Sequence, residues 1–305
     1  MMGKVMNTIE GQNQAAFIPG QVIHNHILLT YELMRGYSRH GVTSVTYQFN
    51  INGTYIKAME ARRGLRQGRK DLKNLTGFAE GNLPFRYLEI PLSSKRLSAQ
   101  AYDSLIDKIM GKINHWSSRL LSYAGRLLLV KSVTFALTNY WMQCLSIPKS
   151  VIHKINVACC IFLWTGKTGN NRKSPVAWST VSMPKKNGGL NIIDLDIWNT
   201  ITLLKLIWNL SDKADSLWER WIHTYYVKNQ NIMDIEVTTN ASWIVKAILN
   251  QRGCARGRSW WGDMLHQDKF KMSKIYKELL RDVPQVPWKS LFYGNLARPR
   301  AKINL

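Results

Sequence analysis

The hydrophobic pattern along the chain changes character near residue 92. Before that point it is mixed. Residues 25–37 follow a Phe17-Ile18-Pro19-Gly20 turn and space their apolar side chains as a helix does. Residues 45–59 alternate, break at Asn52-Gly53 and resume, which predicts a β-hairpin because Asn and Gly accept the positive φ angles of a two-residue turn. Residues 62–73 form a basic loop. Residues 82–92, with Pro84 and Pro91 around Phe85, Tyr87, Leu88 and Ile90, predict a short extended segment. Beyond this point the period is helical. Residues 102–116 place Leu105, Ile106, Ile109 and Ile113 on one stripe, and residues 123–145 follow with Gly125 near their start. Residues 149–164 lie between Pro148 and Gly166, the expected asymmetry of proline at a helix start and glycine past its end. Short connections allow these three helices to form an antiparallel bundle. Residues 170–189 are a polar, basic connector containing Pro175-Val176-Ala177-Trp178, and a domain or subdomain boundary belongs there. Residues 195–210 predict a strongly apolar helix with Asp194 as its N-cap. Residues 216–227 and 242–252 predict shorter helices, each opening at a serine able to cap. Trp218, Trp221, Tyr225 and Tyr226 occupy neighbouring positions of the first of these, a stripe read as core in preference to a base-stacking platform. The expected class is mainly α (α+β), a helical bundle with a small β-hairpin.

Composition adds little until charge is considered. The 305 residues are 45% hydrophobic and 20% charged, as in globular proteins. The longest apolar stretches, such as Val157 to Trp164, run to eight residues, far short of the ~20 needed for a membrane-spanning helix. Residues 1–14 show no signal-peptide pattern, so an intracellular site, nuclear or cytoplasmic, is expected. Cys144, Cys159, Cys160 and Cys254 are not spaced as CxxC and read as buried small hydrophobes in a reducing compartment.

The net charge is +23, from 42 Lys and Arg against 19 Asp and Glu. Its distribution is uneven. Between Lys108 and Ile193 there is no Asp or Glu, yet twelve Lys and Arg occur. A solvated helix face normally mixes signs to form i,i+4 pairs. Here the cations have no local partner and face water or phosphate. A second cluster comprises Arg62, Arg63, Arg66, Arg69, Lys70 and Lys73, and a third Arg252, Arg256 and Arg258. The functional reading is contact with a phosphate backbone, against the plainer reading of a generic basic surface. Membrane binding is the weaker rival, since no long amphipathic helix carries a clean basic face.

Catalytic constellations are sparse. Phosphoryl chemistry with two metals needs clustered carboxylates. Asp194 and Asp196 flank a helix start and read as cap and dipole partners. Asp103 and Asp107, at i,i+4, share a helix face that suits a solvated edge equally well. His24 and His26 have no third ligand nearby, and Gly188-Gly189 is a turn with weak claim to phosphate. No GxGxxG, Walker A, GxSxG or HExxH pattern occurs.

Several runs together resemble the reverse transcriptases of plant LINE-type (non-LTR) retrotransposons. They are Asn13-Gln14-Ala15-Ala16-Phe17-Ile18-Pro19-Gly20 with residues 27–36, Asn50-Ile51-Asn52-Gly53, and Arg63-Gly64-Leu65-Arg66-Gln67-Gly68. Leu83-Pro84-Phe85-Arg86-Tyr87-Leu88, Leu121-Ser122-Tyr123-Ala124-Gly125-Arg126-Leu127, Pro175-Val176-Ala177-Trp178 and Gly188-Gly189-Leu190 continue the series over most of the chain. Two departures matter. The palm segment with the family's first catalytic Asp has no counterpart between residues 31–41 and 45–59. The block that carries Asp-Asp in the family has none after Gly68, which runs into Arg69-Lys70-Asp71. Ala101-Tyr102-Asp103-Ser104 mimics the first motif but falls in the thumb-like region.

The resemblance implies residual fingers and palm over 1–92, a helical thumb over 93–169, a connection region over 170–258, and over 259–305 the start of a zinc-binding domain associated with reverse transcriptases. That domain's Cys and His ligands would fall beyond Leu305, so no bound zinc is expected. An RNase H domain, appended in some relatives, has no counterpart in this sequence. Intact members are RNA-directed DNA polymerases using Mg²⁺. This chain is expected to retain no catalytic residue, metal site or cofactor, and to hold an RNA or DNA duplex through its phosphate backbone. The expected contacts are Arg66, Gln67, Lys112, Arg119, Arg126, Lys131, Lys185 and Lys186. The alternatives are a non-catalytic nucleic-acid-binding module or a non-functional translated retroelement fragment.

Overall fold

A computed structural model describes residues 23–37, 44–47, 50–51, 54–55, 59–62, 85–93, 95–117, 121–167, 174–212, 216–228, 230–237, 241–280 and 285–287. In chain order the elements are α1 (Ile23–Tyr37), β1 (Ser44–Tyr47), β2 (Asn50–Ile51), β3 (Thr54–Tyr55), β4 (Met59–Arg62), β5 (Phe85–Tyr87) and β6 (Ile90–Leu92). A 3₁₀ turn then leads into α2 (Asp103–Ser117), followed by α3 (Tyr123–Leu129), a π-helical turn (Val130–Thr134), α4 (Phe135–Cys144) and α5 (Lys149–Thr165). Next come α6 (Trp178–Val181), a 3₁₀ turn (Lys185–Asn187), α7 (Leu195–Asp212), and α8 (Leu217–Ile222), which runs into a second π turn (His223–Val227). The chain continues through α9 (Trp243–Asn250), α10 (Arg252–Ala255), α11 (Ser259–Leu265) and α12 (Met272–Leu279). The fold is mainly helical with small antiparallel strand pairs, as the sequence pattern predicts. Among the described residues no helix is long and apolar enough to cross a membrane.

The chain packs as two compact units. The first takes residues 1–96, 213–230 and 235–245, and the second 97–212, 231–234 and 246–305. In the first unit, β2 pairs with β3 through Ile51 and Thr54, with β1 and β4 paired outside them. This is the predicted hairpin, although Asn52 and Gly53 themselves lie outside the described residues. A second hairpin, β5–β6, reverses at Leu88 and Glu89, both at positive φ (48° and 71°). Helix α1 buries Ile27, Leu28 and Tyr31 and packs on α8 and β6. The Tyr31 hydroxyl donates to the Pro91 carbonyl, and its ring meets Trp243 edge-on at 5.6 Å. A buried carboxylate, Glu32, accepts hydrogen bonds from the Tyr226 hydroxyl at 2.8 Å and from the Ser242 hydroxyl. Helix α8 opens with a capping box in which Ser216 and Glu219 satisfy each other's backbone N–H groups.

In the second unit three residues of the predicted α2 stripe, Leu105, Ile109 and Ile113, are buried, whereas Ile106 is only half-buried and Trp116 takes its place on the buried face; α2 packs on α5, with Trp116 and Phe162 centroids 5.8 Å apart. Helices α3 and α4 with the intervening π turn make one rod, capped at its start by Ser122, whose hydroxyl accepts from Gly125 N at 3.2 Å. Pro148 precedes α5 and Gly166 ends it at φ +68°, as predicted. Asp194 caps α7 by accepting from the N–H groups of Asp196 (2.9 Å) and Ile197 (3.1 Å). Helix α7 anchors the unit. Trp198 Nε1 donates to Asn139 Oδ1 at 2.7 Å, and Trp208 Nε1 donates to Met264 O at 2.9 Å. The Asn199 amide bonds both the N–H (3.1 Å) and the C=O (3.0 Å) of Ile147, satisfying a connector that carries no ladder of its own. The connector expected over 170–189 is more ordered than its composition suggests, holding α6 and a 3₁₀ turn.

Cys144, Cys159 and Cys160 are buried, and burial pushes the Cys144 and Cys159 thiols up to about 12. Cys254 departs from expectation and is exposed. The aromatic stripe of α8 also divides. Trp218 is fully buried, Trp221 and Tyr226 are half-buried, and Tyr225 is 58% exposed.

Candidate nucleic-acid interface

The described basic residues of the acid-free stretch take two kinds of position, one directed inwards and one directed to solvent. Arg126 belongs to the first kind. Its guanidinium lies over the Tyr123 ring at 5.8 Å, and Nη1 is 3.4 Å from the carbonyl of Phe162, in the last turn of α5. A Cβ on Gly166 would come within 3.1 Å of the same nitrogen, so the glycine leaves room for the guanidinium at the negative end of the helix. Arg126 is thus used as a cap for α5. The third cluster divides: Arg252 is half-buried, whereas Arg256 and Arg258 are exposed. Arg252 donates to the carbonyls of Leu249 (2.8 Å) and Ile232 (3.0 Å), and Arg256 to the Met233 carbonyl (2.9 Å) and the Asp234 carboxylate (2.8 Å).

Lys131 and Lys185 belong to the second kind. Lys131 sits in the π turn, where one extra residue per turn rotates the face that the rod presents. It borders a cavity between that rod and α5, with Val130, Phe135, Trp178 and Ile192 as apolar lining and Asn156 as a polar wall. Burial beside these groups holds the Lys131 ammonium below the usual lysine range, and the nearby Lys185 pushes in the same direction. Two lysines far apart in sequence are therefore brought within electrostatic reach.

The loop that delivers Lys185 is built tightly. Pro184 opens the 3₁₀ turn, Gly188 closes it at φ +88°, and Asn191 follows at φ +57°. Leu190 N bonds Val181 O at 2.8 Å and Asn191 N bonds Met183 O at 2.8 Å. A side chain at Gly189 would put its Cβ 2.1 Å from Met183 O, so this position accepts only glycine in the loop as built. The Gly-Gly pair is a structural device that closes the turn carrying Lys185 and Lys186, both exposed. The Lys186 carbonyl accepts from Val286 N at 3.2 Å.

Of the other expected contacts, Lys112 is exposed on α2. Arg66, Gln67 and Arg119 lie outside the described residues. Asn156 and Trp178 were not singled out for the site by sequence reasoning. Trp178 ends the short Pro175–Trp178 run, the one signal that could have marked it. Asp194 is held by its capping bonds. Asp196 is half-buried, its carboxyl pushed up by burial and by Asp194 and drawn back by Lys149 and His153. Asp103 and Asp107 are exposed on α2. Among the described residues no group of three or more His, Cys, Asp or Glu is placed to hold a metal ion.

No family model matches the chain. Two Arabidopsis thaliana proteins are similar to it. One, provisionally named a ribonuclease H protein, is 24% identical over 175 residues, 56% of this chain and 28% of that protein. The other, an uncharacterised mitochondrial protein, is 27% identical over 118 residues, 38% of this chain and 77% of that protein. The matched segment thus spans little more than a quarter of the first relative's length.

Proposed function

We propose that the chain is a remnant of a plant non-LTR retroelement reverse transcriptase that no longer polymerises and that grips nucleic acid through its phosphate backbone. The observation that carries the binding half is Lys131 at a cavity edge, within electrostatic reach of the exposed Lys185, in a stretch of sequence that holds twelve cations and no carboxylate. Burial of Lys131, with the like charge of Lys185 in reach, disfavours the ammonium in the free protein, and a phosphate bound beside it offsets that cost. Lys186 extends the same basic rim. The Arabidopsis similarities support the plant retroelement origin, since ribonuclease H activity accompanies reverse transcription in such elements.

The catalytic half rests on the two missing carboxylate blocks. Intact polymerases of this kind use Mg²⁺ to stabilise the attacking and leaving oxygens. The described carboxylates do not fit such an ion, because Asp194 is committed to the α7 cap and Asp103 and Asp107 face solvent on a separate helix.

The test is anisotropy of a labelled duplex titrated with the purified chain at several salt concentrations. Log affinity is expected to fall linearly with log salt, by about 0.9 per phosphate contacted. Salt-insensitive binding, or none at low salt, overturns the reading. Templated, Mg²⁺-dependent primer extension by the same preparation overturns the claim of inactivity.

A further inference from the structure

The first unit carries an aromatic surface that backbone binding does not use. Trp221 and Tyr225, one helical turn apart across the junction of α8 with its π turn, have ring centroids 4.2 Å apart and planes 34° from parallel. Tyr225 is 58% exposed, and Leu217, one turn earlier on the same stripe, is 45% exposed. A tyrosine this exposed would not be held by core packing. Its stacking against Trp221 covers one face of the ring and stiffens a tyrosine that otherwise faces solvent.

The charge around the pair selects the occupant. From Arg220 to Gln230 the chain contains no Asp or Glu, while Arg220, His223 and Lys228 lie on the same short helix and its end. The nearest acid in sequence, Glu219, is 1% exposed and belongs to the capping box. An aliphatic protein partner would be served by leucines and needs no cation. An exposed ring in a segment that carries Arg220 and Lys228 and no acid suits a nucleotide, which offers a π face to the ring and a phosphate to a cation.

We propose that Trp221 and Tyr225 form a stacking platform for an unpaired nucleobase, giving the chain a contact with single-stranded RNA or DNA. It rests on the reading that the chain binds nucleic acid, but it makes a separate demand: the contact requires an unstacked base, and it is not a counterion-release contact.

The experiment compares a labelled single strand of about a dozen nucleotides with the matching duplex, using the full chain. Tyr225→Ala is expected to weaken single-strand binding about tenfold, to leave duplex binding within about twofold, and to leave the salt slope unchanged. Tyr225→Phe keeps the ring and is expected to bind like the parent chain. The single strand should quench part of the emission of the chain's twelve tryptophans, and that part should be missing in Trp221→Phe. Thermal melting checks that both Tyr225 variants fold, as the exposure of Tyr225 leads one to expect. An equal loss for both nucleic acids, an altered salt slope, or no loss in Tyr225→Ala overturns the platform. A change in sedimentation coefficient with Tyr225→Ala overturns it in favour of a second copy of the chain as occupant. If the duplex binds with the expected salt dependence and the single strand is indifferent to Tyr225, the platform fails while the backbone reading stands. If neither nucleic acid binds at low salt, both fall.

Discussion

Replacing Lys131 with methionine should move stability and binding in opposite directions. Methionine keeps the length and most of the apolar stem of lysine while removing its charge. In the free chain the ammonium is disfavoured first by burial against the cavity lining and then by Lys185. Removing it relieves both terms and lets a thioether fill the apolar edge. Because the group is only partly buried, solvent screening limits the gain to about 0.5 kcal/mol. Binding loses one phosphate contact. With a counterion-release slope of about 0.9 per contact, the loss is about eightfold at about 0.1 M salt and about fourfold at about 0.2 M. The pH dependence has a fixed sign. A lysine whose folded pKa lies below its unfolded value binds its proton less tightly in the native state, so the parent chain gains stability as pH rises from the lowered value towards the usual lysine range. Lys131→Met should lose that rise. The assays are thermal unfolding across pH and a salt titration of duplex binding. A lower melting temperature in the variant, or an unchanged salt slope, would refute the reasoning.

Gly189→Ala would force a Cβ to within 2.1 Å of Met183 O, breaking the Asn191–Met183 bond or displacing the turn. A loss of about 2–4 kcal/mol in chemical denaturation is expected, together with the Lys185 and Lys186 contribution to binding. Glu32→Ala strips two hydroxyls of their acceptor in the first unit and should cost about 2–4 kcal/mol, while Glu32→Gln retains acceptor capacity and should cost less. The double substitution Leu88→Asn with Glu89→Gly should raise stability by about 1–2 kcal/mol, because both residues hold positive φ that Asn and Gly adopt more readily. With an Ellman-type reagent near neutral pH, Cys254 should react quickly and the buried Cys144, Cys159 and Cys160 only as the chain unfolds. Rapid reaction of two or more thiols would contradict the burial described.

Elements with local physical signatures were legible before any coordinates. The α2 stripe, the Pro148 and Gly166 bounds of α5, the Asp194 cap and the serine caps of α8 and α9 are decided within a turn or two of chain, where period and capping chemistry act. The β5–β6 hairpin was read only as an extended segment, because Leu88-Glu89 carries none of the residues that favour a tight turn. The π turn at Val130–Thr134 was invisible for a similar reason. An inserted residue shifts the period locally while every side chain remains compatible with a helix. Helices α10 to α12 are short and lie in a region legible only as basic and proline-containing, although α12 does separate its apolar and polar faces.

Charge was the most ambiguous signal, since counting +23 treats every cation alike. The structure separates them by side-chain chemistry. Arg126, Arg252 and Arg256 direct their planar forks at fixed backbone carbonyls or at Asp234, a role that suits a donor array with several N–H groups in one plane. Lys131 and Lys185 are point charges on flexible stems, and they meet each other with no acid nearby in sequence. Among the described residues, part of the formal charge is therefore committed to the protein's own carbonyls and is not left for a polyanion. It follows that removing the charge at Arg126 or Arg252, whose guanidinium groups hold backbone carbonyls, should cost more stability than removing it at the exposed Lys185 or Lys186, which should cost more of the salt-dependent binding.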